Sequence, residues 1–325
     1  MKKALSVGVG LAATGFFLWL GLRGVEFHKL GEALRAARWG WLLPMTAIVY
    51  ADLLVRALRW RVLLSRARPG APVGELFRLE AIGLAVNNVL FMRLGELARA
   101  VLAARRLGVS SPTALASVAI ERALDVAALL TIFLLASAAA PGFVPAAVRQ
   151  GAGLLLAAAL GALVVLAAAE TALAPEGALE RLLRRWPRFH HFVEQLALGA
   201  AVLRSPAAAA QAAFLSLLLW TTDACLYWAG ARALGLEALV DYPRAVLALS
   251  WAGASSALPA APGAIGTFEA VVGDILARFG ATASEAFAYA VVCHAVMYVL
   301  VTVTGLLLLW RVGVSLAGLQ EDLSR

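Results

Sequence analysis

Apolar runs of membrane-spanning length alternate along the chain with apolar runs about half that long, and this alternation predicts the architecture. Runs at 4–22, 40–64, 112–139, 151–169, 207–230 and 284–310 approach or exceed the roughly 20 residues that a hydrocarbon core of about 30 Å demands of a helix. Between the second and third, and again between the fifth and sixth, lie shorter apolar pieces broken in the middle. The first break is Phe91-Met92-Arg93-Leu94-Gly95-Glu96, after 79–90 and before a helical run closing at Arg105-Arg106. The second is Leu258-Pro259-Ala260-Ala261-Pro262-Gly263-Ala264-Ile265-Gly266, flanked by 246–257 and 268–279. Neither flank can span a bilayer. Two half-length helices meeting at an elbow predict a re-entrant hairpin, a form tolerated at membrane depth only where protein or a watery cavity surrounds the backbone.

Polar residues inside the runs refine the picture. Asp52, Arg56 and Arg59 stand at i, i+4 and i+7 in the second run, hence on one helix face turned toward the protein interior. The simpler expectation for them is a structural Asp52–Arg56 ion pair. Glu121, Arg122 and Asp125 lie deep in the third run, and three ionisable groups at such depth mark either a self-neutralising cluster or a translocation path; Asp223 lies within the fifth run. Asn87 and Asn88, near the first elbow, can satisfy freed backbone groups or touch a ligand. At the second elbow a half-helix starting near Gly266, with Glu269 in its first turn, would aim unpaired N–H groups and a positive dipole end into the membrane, which is anion-binding chemistry.

The two broken regions can be laid over one another. Gly95-Glu96 then corresponds to Gly266-Thr267-Phe268-Glu269, Gly108 to Gly280, and Arg122 to His294. The step from Gly108 to Arg122 equals that from Gly280 to His294. Each unit is span, hairpin, span. Arg61, Arg66, Arg68 and Arg78 after the second run, with Lys2, Lys3 and Arg311, place those ends in the cytoplasm by the positive-inside rule. Both termini are then cytoplasmic, and the second unit begins on the face opposite to the first. The predicted fold is an all-α polytopic membrane protein of six full spans plus two re-entrant helical hairpins in an inverted repeat, an arrangement whose site lies at the repeat interface. The expected layout is one integral membrane domain over 1–325: first span and interfacial segment 1–40, repeat one 41–140, connecting span and cytoplasmic amphipathic segment 141–206, repeat two 207–311, and tail 312–325.

Composition narrows the function classes. With 62% hydrophobic and 15% charged residues in 325, no soluble domain is expected. The net charge of +8 sits at the ends of apolar runs, where it attracts lipid headgroups rather than nucleic acid. The polar stretch 170–204 reads as an interfacial amphipathic helix pair. The run after Met1-Lys2-Lys3 is long for a signal peptide and reads as a retained span. Gly8 and Gly10 inside it suggest close helix packing, since no strand precedes them. Cys225 and Cys293 lie far apart in apolar runs, so neither a disulfide nor a metal site is expected. Of His28, His190, His191 and His294, the adjacent pair cannot face one site from a helix, and no Walker motif is visible. No enzyme activity and no cofactor are expected, and any transport would be passive or ion-coupled.

Three motifs then carry a resemblance: Asn88 with Arg93-x-Gly95-Glu96-x-x-Arg99, Glu121-Arg122-x-x-Asp125, and Pro259-x-x-Pro262-Gly263-x-x-Gly266-x-x-Glu269. In this order and spacing the chain resembles the flippase-type transmembrane domain of lysylphosphatidylglycerol synthase, as a stand-alone member without the synthase domain. Phe91, Ala264 and His294 depart from the proline, glycine and arginine expected there. The resemblance implies a lipid translocase of the inner membrane, in which Arg93, Arg99 and Arg122 bind an anionic headgroup, assisted by the N–H groups of Gly95 and Gly266. Glu96, Glu121, Asp125 and Glu269 would hold the arginines, Pro262 and Gly263 would form the elbow, and His294 would complete the site. The partners implied are membrane lipids, namely anionic phospholipid, glycolipid or polyprenyl phosphate. A membrane enzyme acting on lipid headgroups is a second class, and a non-transporting accessory of a lipid-synthesis enzyme is a third. Small residues in the spans permit contacts within a protomer or with a second copy.

Overall fold

The computed structural model describes residues 2–90, 94–172, 199, 201–255 and 262–314, and among these every regular element is helical. Arg93, Pro259, most of the amphipathic segment 170–204 and the tail beyond 314 lie outside the described residues. The α-helices are α1 (Lys2–Leu22), α2 (Phe27–Ala36), α3 (Leu42–Leu63), α4 (Val73–Val89), α5 (Gly95–Leu107), α6 (Ser111–Ala139), α7 (Ala146–Ala172), α8 (Pro206–Ala233), α9 (Tyr242–Ser255), α10 (Thr267–Arg278) and α11 (Ala283–Arg311). Among the described residues four segments are long and apolar enough to cross a bilayer: Trp39–Leu63, Ala146–Ala168, Pro206–Ala233 and Ala283–Arg311. α6, at 29 residues as long as α11, carries Glu121, Arg122 and Asp125 instead of an unbroken apolar run. α4 starts six residues before the apolar run at 79–90, with Pro72 just ahead of its first turn.

Local sequence sets the corresponding joints alike in the two halves. Gly108 closes α5 at φ 68°, and Gly280, just after α10, sits at φ 98°, backbone angles that an L side chain resists. Two residues later comes a hydroxyl cap. Ser110 Oγ accepts the Thr113 N–H at 3.2 Å, and Thr282 Oγ1 accepts the Glu285 N–H at 3.3 Å while Glu285 Oε2 accepts the Thr282 N–H at 2.8 Å. These are N-caps of α6 and α11.

Packing follows the same pairing. α3 lies along α8; α4 packs on α11 as α9 packs on α6; and the pairs α3/α4, α4/α5 and α5/α6 are matched by α8/α9, α9/α10 and α10/α11. Two apolar cores occupy successive lengths of the long helices. One gathers α9 and α10 with Met45 and Val49 of α3, Ile132 to Ala140 on α6, and the tail half of α8. The other gathers α4 and α5 with Ala57 to Leu64, the first half of α6, Ala212 and Leu309. The two short helix pairs therefore sit at opposite ends of the long helices, and a layer between the cores is left for polar groups. α7 is only 6% buried over its apolar window, and Leu154, Leu155, Val164 and Val165 face outward, as suits a surface solvated by lipid.

α1 lies against α10, and Gly8 is not at the contact. A Cβ on Gly8 would meet nothing within 4 Å, whereas one on Gly21 would come within 3.3 Å of the Ala270 amide nitrogen, and one on Gly266 within 2.7 Å of the Thr14 carbonyl oxygen. The close approach is made farther along α1, where its backbone crosses the start of α10.

Candidate functional site

The polar layer has two parts, a buried ionic cluster in the first half of the molecule and a cavity between the halves. In the cluster, Glu121 of α6 is fully buried and takes guanidinium contacts from three helices. Arg99 Nη1 and Nη2 donate to it at 3.0 and 2.9 Å, Arg122 Nη2 donates at 2.9 Å, and Arg59 Nη2 lies 3.3 Å away. Arg59 also donates to Asp125 at 2.5 Å and to Ser216 at 3.0 Å, and Trp220 donates to the same Asp125 oxygen at 3.1 Å. Arg99 donates to Glu80 of α4 at 2.6 Å and stacks 4.2 Å over the Trp60 ring. Three arginines and three carboxylates balance, which is the condition for keeping such charges out of water. Glycine makes the geometry: a Cβ on Gly83 would strike the Arg99 stem, and one on Gly95 would strike the Gly83 carbonyl. Backbone contact between α4 and α5 thus lets Arg99 reach both Glu80 and Glu121.

The cavity has a volume of about 370 Å³ and draws its walls from α3, α4, α6, α8, α9, α10, α11 and the Pro262–Ala264 turn. Asp52, Arg56, Arg122, Asp223 and His294 are its ionisable lining, with Asn87, Asn88, Tyr227 and Tyr298 among the polar neighbours. Arg56 Nε donates to Asp52 at 2.7 Å, the pair expected from their spacing. Asp52 and Asp223 are related by the same 171-residue offset as Gly95 and Gly266, so each repeat brings one carboxylate to this space. Arg122 and His294, the other matched pair, both line it.

Of the arginines expected to bind a headgroup, Arg122 lines the cavity with its side chain 46% exposed. Arg99 is 3% exposed and belongs to the cluster, with Glu121 and Asp125. The Gly95 N–H donates to Asn87 Oδ1 at 2.7 Å, and the Gly266 N–H donates to Glu269 Oε2 at 2.6 Å. Both amides are thereby occupied within the protein. Glu96 Oε2 accepts from Asn87 Nδ2 at 3.3 Å, and Glu269 Oε1 lies 2.7 Å from His294 Nδ1. Among the described residues these two carboxylates hold an amide and an imidazole, not an arginine. Pro262 and Gly263 line the cavity, and Gly263, at φ 75°, lies flat against the Tyr298 ring. Phe268 stacks on the His294 ring at 4.2 Å and 22°, and Tyr298 meets that ring edge-on at 5.9 Å.

Sequence reasoning overlooked Glu80, a carboxylate heading an apolar run, and gave Asp223 no role. Glu80 opens the apolar run that follows Arg78, and Asp223 is the one acidic residue of the run 207–230; a carboxylate carried into an apolar run was the available signal.

Neither a curated protein nor a solved structure matches the chain. A family described as "Lysylphosphatidylglycerol synthase TM region" matches it over residues 5–305, a span that holds three of the four long apolar segments and all but the last six residues of the fourth, both short helix pairs and every cavity residue. The protein is therefore a multi-pass membrane protein and belongs to the lysylphosphatidylglycerol synthase transmembrane-region family.

Proposed function

We propose that the protein is a lipid translocase, not an enzyme, which carries an anionic lipid headgroup between leaflets through the cavity at the repeat interface. The observation that carries this reading is a cavity of about 370 Å³ with ionisable walls from both halves of the chain, inside a molecule whose outer surface is apolar. Its size falls within the roughly 300–1,000 Å³ of ligand pockets. A headgroup crossing hydrocarbon unaided leaves water at a cost of several kcal/mol or more, and a polar groove offsets that cost. In this reading α1 and α6 join the four apolar segments as spans, while α4–α5 and α9–α10 dip in from opposite leaflets.

Arg122 is the phosphate ligand. Its planar fork suits phosphate oxygens, and Glu121 and Asp125 at 2.9 and 3.3 Å hold it in place while leaving it half exposed. His294 faces it as the repeat-related group. Proteoliposomes containing the purified protein are expected to move a fluorescent phosphatidylglycerol analogue between leaflets faster than protein-free vesicles. Equal rates would remove the translocase reading and leave a non-transporting accessory role.

A further inference from the structure

Charge counting around the cavity leaves a remainder. Arg59, Arg99 and Arg122 are matched by Glu80, Glu121 and Asp125, and Arg56 by Asp52. Asp223 and Glu269 are left without a guanidinium: among the described residues Asp223 has no ion-pair partner, and Glu269 faces only His294. With every carboxylate ionised and His294 neutral, these described residues together carry two negative charges in excess. An anion brought into it would make a third, in surroundings where unpaired charge is expensive.

The Glu269–His294 pair is built to remove that obstacle. Both side chains are 8% exposed, and Nδ1 of His294 is engaged by Glu269 at 2.7 Å, so the ring nitrogen left for the cavity is Nε2. Phe268 and Tyr298 fix the ring plane. A neutral imidazole that gives its single hydrogen to Glu269 turns a lone pair toward the cavity, and a lone pair repels a phosphate oxygen. One added proton changes this wherever it settles. On the ring it makes both nitrogens donors, and on Glu269 it lets Nδ1 accept and leaves the hydrogen on Nε2. In both cases Nε2–H is then a donor available to the cavity that Arg122 also lines.

We infer that the Glu269–His294 pair is a proton-loading site, and that an anionic headgroup occupies the cavity together with a proton. This rests on the translocase reading and names its coupling ion. The other groups facing His294 are consistent with it: Asp223 and Tyr227 on α8, Asp52 and Arg56 on α3, and Arg122 on α6, with only the uncharged Asn87 and Asn88 from α4. Among the described residues no cluster of three His, Cys, Asp or Glu side chains is placed to hold a metal ion.

Binding of dioctanoyl phosphatidylglycerol to the full chain in detergent tests the inference by calorimetry in two buffers of different ionisation enthalpy. Because the anion favours the protonated pair, affinity should fall as pH rises, by up to about tenfold per pH unit. Close to one proton should be taken up per lipid bound. His294→Arg supplies a fixed charge like that of its repeat mate, and should bind at high pH better than wild type, with the pH slope gone. Lipid binding with a flat pH profile and no proton uptake in wild type would overturn this inference alone, as would a wild-type slope in His294→Arg. Affinity that follows sodium, replaced by choline, instead of pH would overturn it too. Absence of binding at any pH would remove both this inference and the translocase reading. Should His294→Arg fail to fold, proton uptake by the wild type decides the matter.

Discussion

Replacing Glu121 with glutamine keeps the shape of the side chain and removes the charge at the hub of the ionic cluster. The carboxylate is fully buried and contacts Arg99 at 2.9 and 3.0 Å, Arg122 at 2.9 Å and Arg59 at 3.3 Å. Each arginine keeps a second partner: Arg99 has Glu80 at 2.6 Å, Arg59 has Asp125 at 2.5 Å and Arg122 has Asp125 at 3.3 Å. The expected loss is therefore that of one broken buried pair, about 3–5 kcal/mol, not three times that. At roughly 2–4 °C per kcal/mol, the thermal midpoint in detergent should drop by roughly 6–20 °C. Asp274→Asn is the control, since its pair with Arg278 is about half exposed on both sides and is worth at most about 1 kcal/mol. A second substitution, Arg99→Gln in the Glu121→Gln background, should cost less than it does alone, because the two residues share one interaction. A Glu121→Gln midpoint within roughly 2 °C of wild type, followed by tryptophan fluorescence, would refute the claim that the cluster holds α3, α5 and α6 together.

Gly95→Ala should destabilise by about 1–3 kcal/mol, measured by the same melt, because the added methyl strikes the Gly83 carbonyl and lies 2.6 Å from Asn87 Oδ1; Gly8→Ala, with nothing within 4 Å, should be neutral or slightly stabilising. In a background with Cys225 and Cys293 replaced, cysteines at exposed Arg68 and Arg105 should react with an impermeant maleimide from one face, and cysteines at exposed Glu237 and Ala277 from the other, if the hairpins enter from opposite leaflets. Arg122→Gln should cut phosphatidylglycerol movement in proteoliposomes by tenfold or more, whereas Arg122→Lys keeps the charge without the fork and should fall between, the lost bidentate contact corresponding to about 1–2 kcal/mol.

The helices were legible because length and apolarity decide them in a membrane. Both elbow-to-span joints were legible too, because Gly108 and Gly280 sit where only left-handed backbone closes a helix, with Ser110 and Thr282 following as caps. The matched pair Arg122 and His294 followed from that register. The Asp52–Arg56 pair followed from i, i+4 spacing; what sequence could not supply was who pairs with whom between helices. Arg99 and Arg122 were both expected to bind a headgroup, yet α4 brings Glu80 against Arg99 across a glycine contact, whereas Arg122 stays half exposed at the cavity. The N–H groups of Gly95 and Gly266 pointed to an anion site by their position at helix starts, but Asn87 and Glu269 fold back onto them. Such local capping competes with any ligand for the same donors.

The central claim is that a headgroup resides between the two halves of the chain. An electron cryomicroscopy map of the protein in a nanodisc of phosphatidylglycerol tests it most directly. The account predicts phosphate density in the cavity within about 3 Å of the Arg122 guanidinium, on the side where His294 faces it. Lipid density confined to the outer surface of the helices, with that space holding only water, would contradict it.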